Sequence, residues 1–309
     1  MTETIRGAAR AAVLLLITFL LVPLSSWADE IVVTDARGER VRVEDASRIV
    51  SLGSAVTEIL AALGRADLFV GVDASSSYPE PALAGIPRTG YVREVAAEGI
   101  LSLDPTVVLA STDVGPPEVV EQIEDADVPV VVVPEDDSVT GVKRRVRFIA
   151  RVVDAEERAQ EISDQIDADV RRARALVENV PVEERASVLF VYARGAGTVM
   201  VSGTDTSAHA MIELAGGVNA MQGFSGYRPL TPEAALAAEP DYLLFFESGL
   251  ESLGGMEGLA SVPGIAQTRA YQAGRVLSFN DVYLLGFGPR VGSAMLDLAR
   301  ALYPETEAR

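Results

Sequence analysis

The chain has 309 residues, of which 45 are acidic and 26 are basic, so that its formal net charge at neutral pH is -19. This balance argues against nucleic acid as a partner, because binding to phosphates needs a basic surface. Cysteine is absent and histidine occurs once, which excludes thiolate chemistry, iron–sulfur clusters, disulfides and metal sites built from several histidines.

Residues 1–28 are predicted to form a secretory signal peptide. Two arginines precede the apolar run 11–22, and the small residues Ser26 and Ala28 form a cleavage pattern. The apolar run is shorter than the roughly 20 residues that a membrane-spanning helix requires, so an uncleaved anchor is the less favoured interpretation. Since a lipid anchor is attached through cysteine, which the chain lacks, we expect an exported protein that stays in the periplasm without a membrane span of its own.

The segment after the signal alternates short apolar runs with helical patterns. Residues 31–43 are typical of a hairpin around a glycine. A helix is predicted at 55–63, and strands are predicted at 49–52, 68–72, 107–110 and 128–133. Because these runs are continuously apolar rather than alternating with polar residues, they indicate strands covered on both faces, as in a parallel α/β sheet.

The middle of the chain is rich in arginine, glutamate, aspartate and alanine. Its apolar residues recur at helical spacing. This pattern predicts one helix that ends near Val153 and a long second helix over residues 155–177, which Pro181 terminates. We interpret the many charges of these helices as a solvated face.

Strand and helix patterns alternate again in the last part of the chain. Strands are predicted at 188–192, 199–202, 242–246 and 276–279, and helices at 206–214, 231–237 and 288–302. The predicted fold class is therefore α/β, with two α/β lobes bridged by one long rigid helix and a ligand cleft between the lobes. The N-terminal lobe is predicted to cover residues 29–137, the linking helices 138–180 and the C-terminal lobe 181–309.

Residues that would support an enzyme are scarce. The chain has no phosphate-binding glycine loop of the known pattern, and Gly195 and Gly197 lack the rest of a dinucleotide-binding pattern. The single histidine, His209, follows polar residues suited to cap a helix, which indicates a helix-surface or partly packed side chain; ligand binding is the alternative. We therefore expect that the protein is not an enzyme.

The stretch from Arg88 to Glu94 carries the most informative chemistry. Gly90 permits an unusual backbone turn that would place Tyr91 on a loop. Tyrosinate is an axial ligand of ferric haem, but a free phenol has a pKa of about 10, so its charged form needs support from the iron and a nearby cation. Arg93 can supply the cation if the loop is extended. An ordinary surface tyrosine beside an ordinary arginine remains the alternative.

Residues 48–303 resemble the periplasmic haem-binding proteins of bacterial haem ABC importers, within the wider group of binding proteins for vitamin B12 and ferric siderophores. The segments that carry the resemblance are 48–60, 90–93, 214–220, 226–230 and 285–290. The first segment is shared by the wider group and supports the fold, whereas the tyrosine–x–arginine spacing within 90–93 is more specific to haem.

The resemblance implies a role for each matching residue. Tyr91 matches the tyrosine that ligates the haem iron, and Arg93 matches the arginine that hydrogen-bonds the phenolate. Tyr227 and Arg228 fall where a loop of the second lobe approaches the ligand. Arg194, just after a strand, matches a position from which some relatives reach the second face of haem; as an arginine it would pair with a propionate rather than bind iron.

Glu58 and Glu233 each lie near a predicted helix start, one in each lobe. An acidic residue in the first turn stabilises a helix by ~0.3–1 kcal/mol, which is a sufficient explanation for either glutamate alone. In the resembling family, one such glutamate in each lobe docks onto arginines of the permease. The resemblance therefore implies that Glu58 and Glu233 contact the permease of the transporter.

Together these expectations describe a monomeric periplasmic protein that captures haem b and delivers it to the permease and ATPase complex of an ABC importer. Haem is the transported ligand, and nucleic acid is not a partner. A ferric siderophore or vitamin B12 is the alternative ligand within the same group. A periplasmic enzyme with an unrecognised carboxylate site and a sensor domain that signals to a membrane protein are alternatives from other classes.

Overall fold

A computed structural model describes residues 31–304 of the chain. The predicted signal peptide, residues 1–28, lies outside the described residues. Within 31–304, no helix combines the length and the apolar character needed to cross a bilayer.

The described residues alternate strands and helices along the chain. The strands are β1 (Ile31–Thr34), β2 (Arg40–Val43), β3 (Ile49–Leu52), β4 (Phe69–Val72), β5 (Val107–Ala110), β6 (Val130–Val132), β7 (Ser187–Ala193), β8 (Val199–Ser202), β9 (Val218–Asn219), β10 (Tyr227–Pro229), β11 (Tyr242–Phe246) and β12 (Val276–Phe279). The helices are α1 (Ser54–Ala62), α2 (Glu80–Leu83), α3 (Ala97–Leu101), α4 (Pro117–Glu124), α5 (Val139–Val152), α6 (Glu156–Val177), α7 (Ser207–Leu214), α8 (Pro232–Ala237), α9 (Glu247–Ser252), α10 (Gly255–Leu259), α11 (Arg269–Gln272), α12 (Asp281–Leu285) and α13 (Val291–Leu302). Short 3₁₀ turns lie at Ala66–Leu68, Val92–Glu94, Val182–Glu184 and Ile265–Gln267.

The N-terminal lobe is built on a four-stranded parallel sheet with the strand order β4-β3-β5-β6. Every residue of β3, β5 and β6 is buried, which explains why these strands are almost entirely apolar rather than alternating. The hairpin β1–β2 is antiparallel and turns at Gly38, whose φ of 81° favours glycine.

The C-terminal lobe is built on a mixed sheet with the order β10-β8-β7-β11-β12, in which β9 also pairs with β7. β7, β11 and β12 run parallel, while β8, near one edge, is antiparallel to both of its neighbours, β7 and β10. Neighbouring residues of a strand point to opposite faces. Phe245 of β11 pairs with Val191 of β7, the neighbour of Phe190, so Phe190 and Phe245 point to opposite faces of the sheet. Phe190 packs in the cluster that includes the linking helices, whereas Phe245 packs in a separate cluster.

Two helices, α5 and α6, connect the lobes. Ser138 caps α5 by accepting a hydrogen bond from the backbone N–H of Gly141 at 2.9 Å. α6 has 22 residues, which makes it about 33 Å long, and α13 packs along it. A Cβ on Gly292 of α13 would lie 2.9 Å from the carbonyl oxygen of Ile166 in α6, so the close approach of these helices depends on glycine. The two α/β lobes and the single long bridging helix confirm the predicted fold class.

The start of α13 differs from the prediction. The helix begins at Val291, so the start predicted at residue 288 is wrong. Gly288 precedes Pro289, and the residue before a proline is disfavoured in the helical conformation, so the apolar spacing placed the start of the helix too early. The lobe boundaries given above remain predictions, although α5 and α6 fall inside the predicted linking segment 138–180.

Candidate ligand cleft

A cleft lies between the lobes at the carboxyl ends of the parallel strands of the N-terminal lobe. One cavity of about 310 Å³ is lined by residues that follow β3, β4, β5 and β6, together with Ser207, Leu285 and Gly286 of the C-terminal lobe. A second cavity of about 510 Å³ shares Asp137 and Ser207 with the first, and Ser207 Oγ donates a hydrogen bond to Asp137 Oδ2 at 2.5 Å. Because α/β proteins bind ligands at this edge of the sheet, we refer to the two cavities together as the cleft.

Tyr91 lines the cleft on the N-terminal lobe and is 43% exposed. Gly90 has a φ of 95° and makes the turn that its identity predicted. The carbonyl oxygen of Gly90 accepts a hydrogen bond from the backbone N–H of Ala74 at 2.7 Å. The loop that carries the tyrosine is therefore fixed to the lobe just before the side chain enters the cleft.

Arg93 Nη1 donates a hydrogen bond to Tyr91 Oη at 3.2 Å. The backbone between them is a 3₁₀ turn, with a hydrogen bond from Glu94 N–H to the carbonyl oxygen of Tyr91 at 2.8 Å, rather than the expected extended loop. Arg93 Nη2 also donates to Asp113 Oδ2 at 2.5 Å. The hydrogen bond that Arg93 donates to Asp113 and the negative charge of Asp113 raise the pKa of Arg93, so the guanidinium stays charged beside the phenol.

Two further residues in this region were not predicted from the sequence. Asp113, the partner of Arg93, follows the carboxyl end of the buried strand β5. This placement was the sequence signal that could have identified Asp113. Tyr192 precedes Arg194 with the same tyrosine–x–arginine spacing as Tyr91 and Arg93. The Cζ atom of the arginine lies 5.8 Å from the ring centroid in the second pair and 5.9 Å in the first. The repeated spacing was the signal for Tyr192.

Tyr227 lines the cleft on the C-terminal lobe. Its ring packs edge-on against Phe190 and Tyr192, with centroid distances of 6.5 and 6.4 Å. Burial raises the pKa of Tyr227, and the negative charge of Asp137 raises it further. The hydroxyl of Tyr227 is therefore neutral at neutral pH, and its ring presents an aromatic surface to the second cavity.

The two arginines predicted to contact the ligand from the C-terminal lobe lie outside the lining of the two cavities. Arg228 is exposed and its Cζ atom lies 4.6 Å from the ring centroid of Phe224. Arg194 is exposed beside Tyr192. Each guanidinium is therefore stacked on an aromatic ring, and the role of each toward a ligand remains a prediction.

His209 lies in the first turn of α7, is half-buried and lines the cleft. Thr206 caps the helix by accepting a hydrogen bond from the backbone N–H of His209 at 3.1 Å. The amide nitrogen of Asn219 donates to the carbonyl oxygens of Ser202 and Gly203 and lies 3.5 Å from His209 Nδ1. His209 is therefore a partly packed residue at a helix start that also lines the cleft, and its role toward a ligand remains a prediction.

Glu58 and Glu233 have different surroundings. Glu233 is exposed in the first turn of α8. Glu58 is 3% exposed, and Arg290 holds both of its carboxylate oxygens at 2.6 and 2.9 Å. The implied contact between Glu58 and the permease is therefore corrected, because the side chain of Glu58 is buried. Its carboxylate is in the interior with a bidentate partner, so it is not available to an arginine of another protein in this conformation.

Glu98 is the positional counterpart of Glu233 in the N-terminal lobe. It is exposed in the first turn of α3. Both helices lead through an acidic residue and a proline, Asp104–Pro105 and Glu239–Pro240, into a central strand. The two acidic residues share a left-handed backbone, with φ of 47° and 42°. This repeated helix–turn–strand unit was the sequence signal for Glu98.

Comparison with known proteins places the chain in a family. Residues 49–283 match the family model described as periplasmic binding protein. The chain belongs to the periplasmic binding protein family. A curated relative of this periplasmic binding protein is YvrC of Bacillus subtilis (strain 168), an uncharacterized ABC transporter substrate-binding lipoprotein. The two are 25% identical over 279 residues, which span 89% of this chain and 86% of YvrC.

Solved structures similar to this periplasmic binding protein cover most of both chains. The periplasmic haem-binding protein RhuT from Roseiflexus sp. RS-1, in its apo form, is 40% identical with a TM-score of 0.80, over 85% of this chain and 100% of RhuT. The periplasmic haem-binding protein BhuT, in complex with two haems, is 38% identical with a TM-score of 0.78, over 84% of this chain and 98% of BhuT. The similarity therefore extends over both lobes and the cleft between them.

Proposed function

We propose that this periplasmic binding protein captures haem b in the periplasm and delivers it, as the transported ligand, to the permease of an ABC importer. The observation that carries the proposal is the hydrogen bond from Arg93 to Tyr91 beside the cleft. It is supported by two haem-binding relatives of 40% and 38% identity. The family is one of binding proteins, and we propose no catalysed reaction.

In the proposed complex, Tyr91 Oη is the axial ligand of the ferric iron. A phenolate is a hard anionic donor, and iron displaces the phenolic proton. The charged guanidinium of Arg93 then stabilises the phenolate, because an opposite charge favours the ionised form. Asp113 holds Arg93 in this position through its hydrogen bond at 2.5 Å.

The porphyrin and its propionates are proposed to meet the C-terminal lobe. Ligand pockets of this size are walled mainly by apolar and aromatic groups, and Tyr227, supported from behind by Phe190, offers such a group. Arg194 and Arg228 are exposed and lie over the rings of Tyr192 and Phe224. A guanidinium binds a carboxylate through two parallel hydrogen bonds, so we propose that these arginines pair with the propionates.

A spectral titration tests the proposed ligand. Ferric haem added to the purified full chain is expected to shift the Soret band, to saturate, and to produce a phenolate-to-iron charge-transfer band. Cobalamin and a ferric siderophore, which do not need the phenolate, are expected not to compete. Saturable binding of cobalamin or the siderophore without a haem-dependent spectrum would contradict the proposal and favour the alternative ligand.

Removing the guanidinium beside the phenol is expected to weaken haem binding. Arg93→Gln should raise the Kd for ferric haem by about 10- to 100-fold, the range for groups that support a metal ligand. Asp113→Asn should raise it by less than about fivefold, because this ion pair is half-exposed. Arg144→Gln breaks a similarly exposed pair with Asp136 outside the cleft lining and should leave the Kd unchanged. Equal effects of Arg93→Gln and Arg144→Gln would contradict the assigned role of Arg93.

We propose that Glu98 and Glu233 dock onto basic residues of the permease. Each helix precedes a strand of a parallel sheet, so its first turn lies at the same edge as the carboxyl ends of the strands. The double variant Glu98→Lys/Glu233→Lys is expected to slow haem uptake by the complete importer at least about tenfold, with unchanged haem affinity. Glu156→Lys, in the exposed first turn of α6, is the matched control. An equal loss of uptake in Glu156→Lys and in the double variant would contradict the docking proposal.

The protein acts outside the cytoplasm, as the name of its family states. The finer location, the periplasm of a cell with an outer membrane, is a proposal that rests on the predicted signal and on the absence of cysteine from the sequence. The monomeric state is likewise a proposal, and the oligomeric state of the haem-loaded protein in gel filtration tests it.

A further inference from the structure

The segment 286–290, which we call the strap, joins α12 to α13. Its first residue, Gly286, lines the cleft together with Leu285. Its last residue, Arg290, is the N-cap of α13. Although the strap connects two helices on the side of the C-terminal lobe, its side chains and backbone are held by residues of the N-terminal lobe and of α5.

The strongest of these contacts is the ion pair between Arg290 and Glu58 of α1. Nε and Nη2 of Arg290 each donate a hydrogen bond to one carboxylate oxygen of Glu58. The side chains of Arg290 and Glu58 are 27% and 3% exposed. The guanidinium lies between the rings of Tyr78 and Tyr283, with Cζ-to-centroid distances of 3.7 and 4.9 Å. Burial by itself would lower the pKa of Arg290, but the hydrogen bonds and charge of Glu58 raise it overall. Bidentate, charge-assisted pairs of this kind are strong and fix geometry.

The middle of the strap is held by a second cation. Phe287 is buried, and its carbonyl oxygen accepts a hydrogen bond from Arg145 Nη1 at 3.2 Å. Arg145 comes from α5, is 3% exposed and lines the cleft. A Cβ on Gly288 would lie 3.2 Å from Cδ of Glu58, so the backbone of the strap rests directly on the carboxylate. The strap is therefore held beside the cleft at three of its residues, Phe287, Gly288 and Arg290.

We infer that the strap is a latch that sets the width of the cleft, with Glu58, Arg290 and Arg145 as positioning residues for ligand retention. While the latch is closed, Leu285 and Gly286 form a wall of the cavity that Tyr91 lines from the other lobe. Opening of the Glu58–Arg290 pair frees this wall and widens the exit for the ligand. The identity of that ligand rests on the proposed function, whereas the latch itself rests on contacts within the chain.

A matched pair of ion-pair variants tests the latch. Arg290→Gln breaks the ion pair with Glu58, and Arg37→Gln breaks the ion pair with Asp35. The Arg37–Asp35 pair is buried to a similar extent, with side chains 26% and 0% exposed, but it lies within the N-terminal lobe. Loss of one partner of a buried charge pair leaves the other charge unpaired and strongly destabilises the arrangement that holds it, here the closed latch. Transfer of haem from the full chain to excess apomyoglobin is therefore expected to be at least about tenfold faster in Arg290→Gln and unchanged in Arg37→Gln. The charge-transfer band should be the same in both, because Tyr91 is intact.

Two further measurements keep the test decisive. Small-angle scattering of the ligand-free chains should show a larger radius of gyration for Arg290→Gln than for Arg37→Gln. If Arg290→Gln does not fold, Arg290→Lys keeps the charge but loses the bidentate geometry, and it should still release haem faster than Arg37→Gln. Equal rates and equal radii for the variants at positions 290 and 37 would overturn the latch. If the wild-type chain binds no haem, the proposed function fails, and the scattering comparison still decides the latch.

Discussion

Replacing Tyr91 with phenylalanine is expected to raise the Kd for ferric haem by at least about 100-fold, more than the loss of a supporting residue costs. The variant keeps the ring but removes the oxygen proposed to bind iron. The phenolate-to-iron charge-transfer band should disappear, and the Soret maximum should move toward that of weakly bound haem. Absorbance titration with a competing haem-binding protein measures both effects.

Tyr78→Phe is the matched control for this prediction. Tyr78 is 42% exposed, against 43% for Tyr91, and it lies outside the lining of the cleft. The phenylalanine keeps an aromatic ring over Arg290, so stability should change little. If Tyr91→Phe retains the charge-transfer band, a phenolate other than that of Tyr91 binds the iron, and the proposed site is wrong.

Truncation of Phe190 is expected to have the largest effect on stability. The side chain is fully buried, and its ring packs edge-on against Phe246 at 5.1 Å and Tyr227 at 6.5 Å. Phe190→Ala should lower the free energy of unfolding by about 3–5 kcal/mol, as for other buried phenylalanines. Chemical denaturation followed by circular dichroism measures the loss.

The same substitution at Phe245 separates stability from binding. Phe245 is equally buried on the neighbouring strand but packs in the cluster that does not include Phe190. Phe245→Ala should destabilise the protein by a similar amount. Only Phe190→Ala should also raise the Kd for haem, by about 2- to 10-fold, because an aromatic contact worth about 0.5–1.5 kcal/mol supports Tyr227. Equal changes in Kd for both variants would show that binding follows global stability rather than the support of Tyr227.

The fold was largely predictable because its central strands are buried on both faces. β3, β5 and β11 occupy the predicted residues, and α6 begins one residue after its predicted start. The short helices α9 to α12 were not predicted, since helices of four to six residues span too few turns to show a hydrophobic period. The late start of α13 also escaped prediction, because Gly288 and Arg290 are held by contacts with Glu58, which is 232 residues before Arg290 in the chain.

The site was predictable where its residues are neighbours in the sequence. The pairing of Tyr91 with Arg93 follows from their spacing, although the turn between them is 3₁₀ rather than extended. The burial of Glu58 did not follow, because its partner Arg290 lies 232 residues away along the chain. A glutamate in a first helical turn gives the same sequence signal whether it faces solvent or an arginine.

The helix–turn–strand unit occurs twice, once ending in β5 and once ending in β11, and this repeat bears on the symmetry expected of a membrane partner. Glu98 and Glu233 give one polypeptide two similar corners, each in the first turn of a short helix. Closed assemblies of identical subunits are most often twofold, so a permease dimer would offer two identical basic patches. A single chain with duplicated corners can engage both patches together, and the resulting avidity exceeds what either corner provides alone.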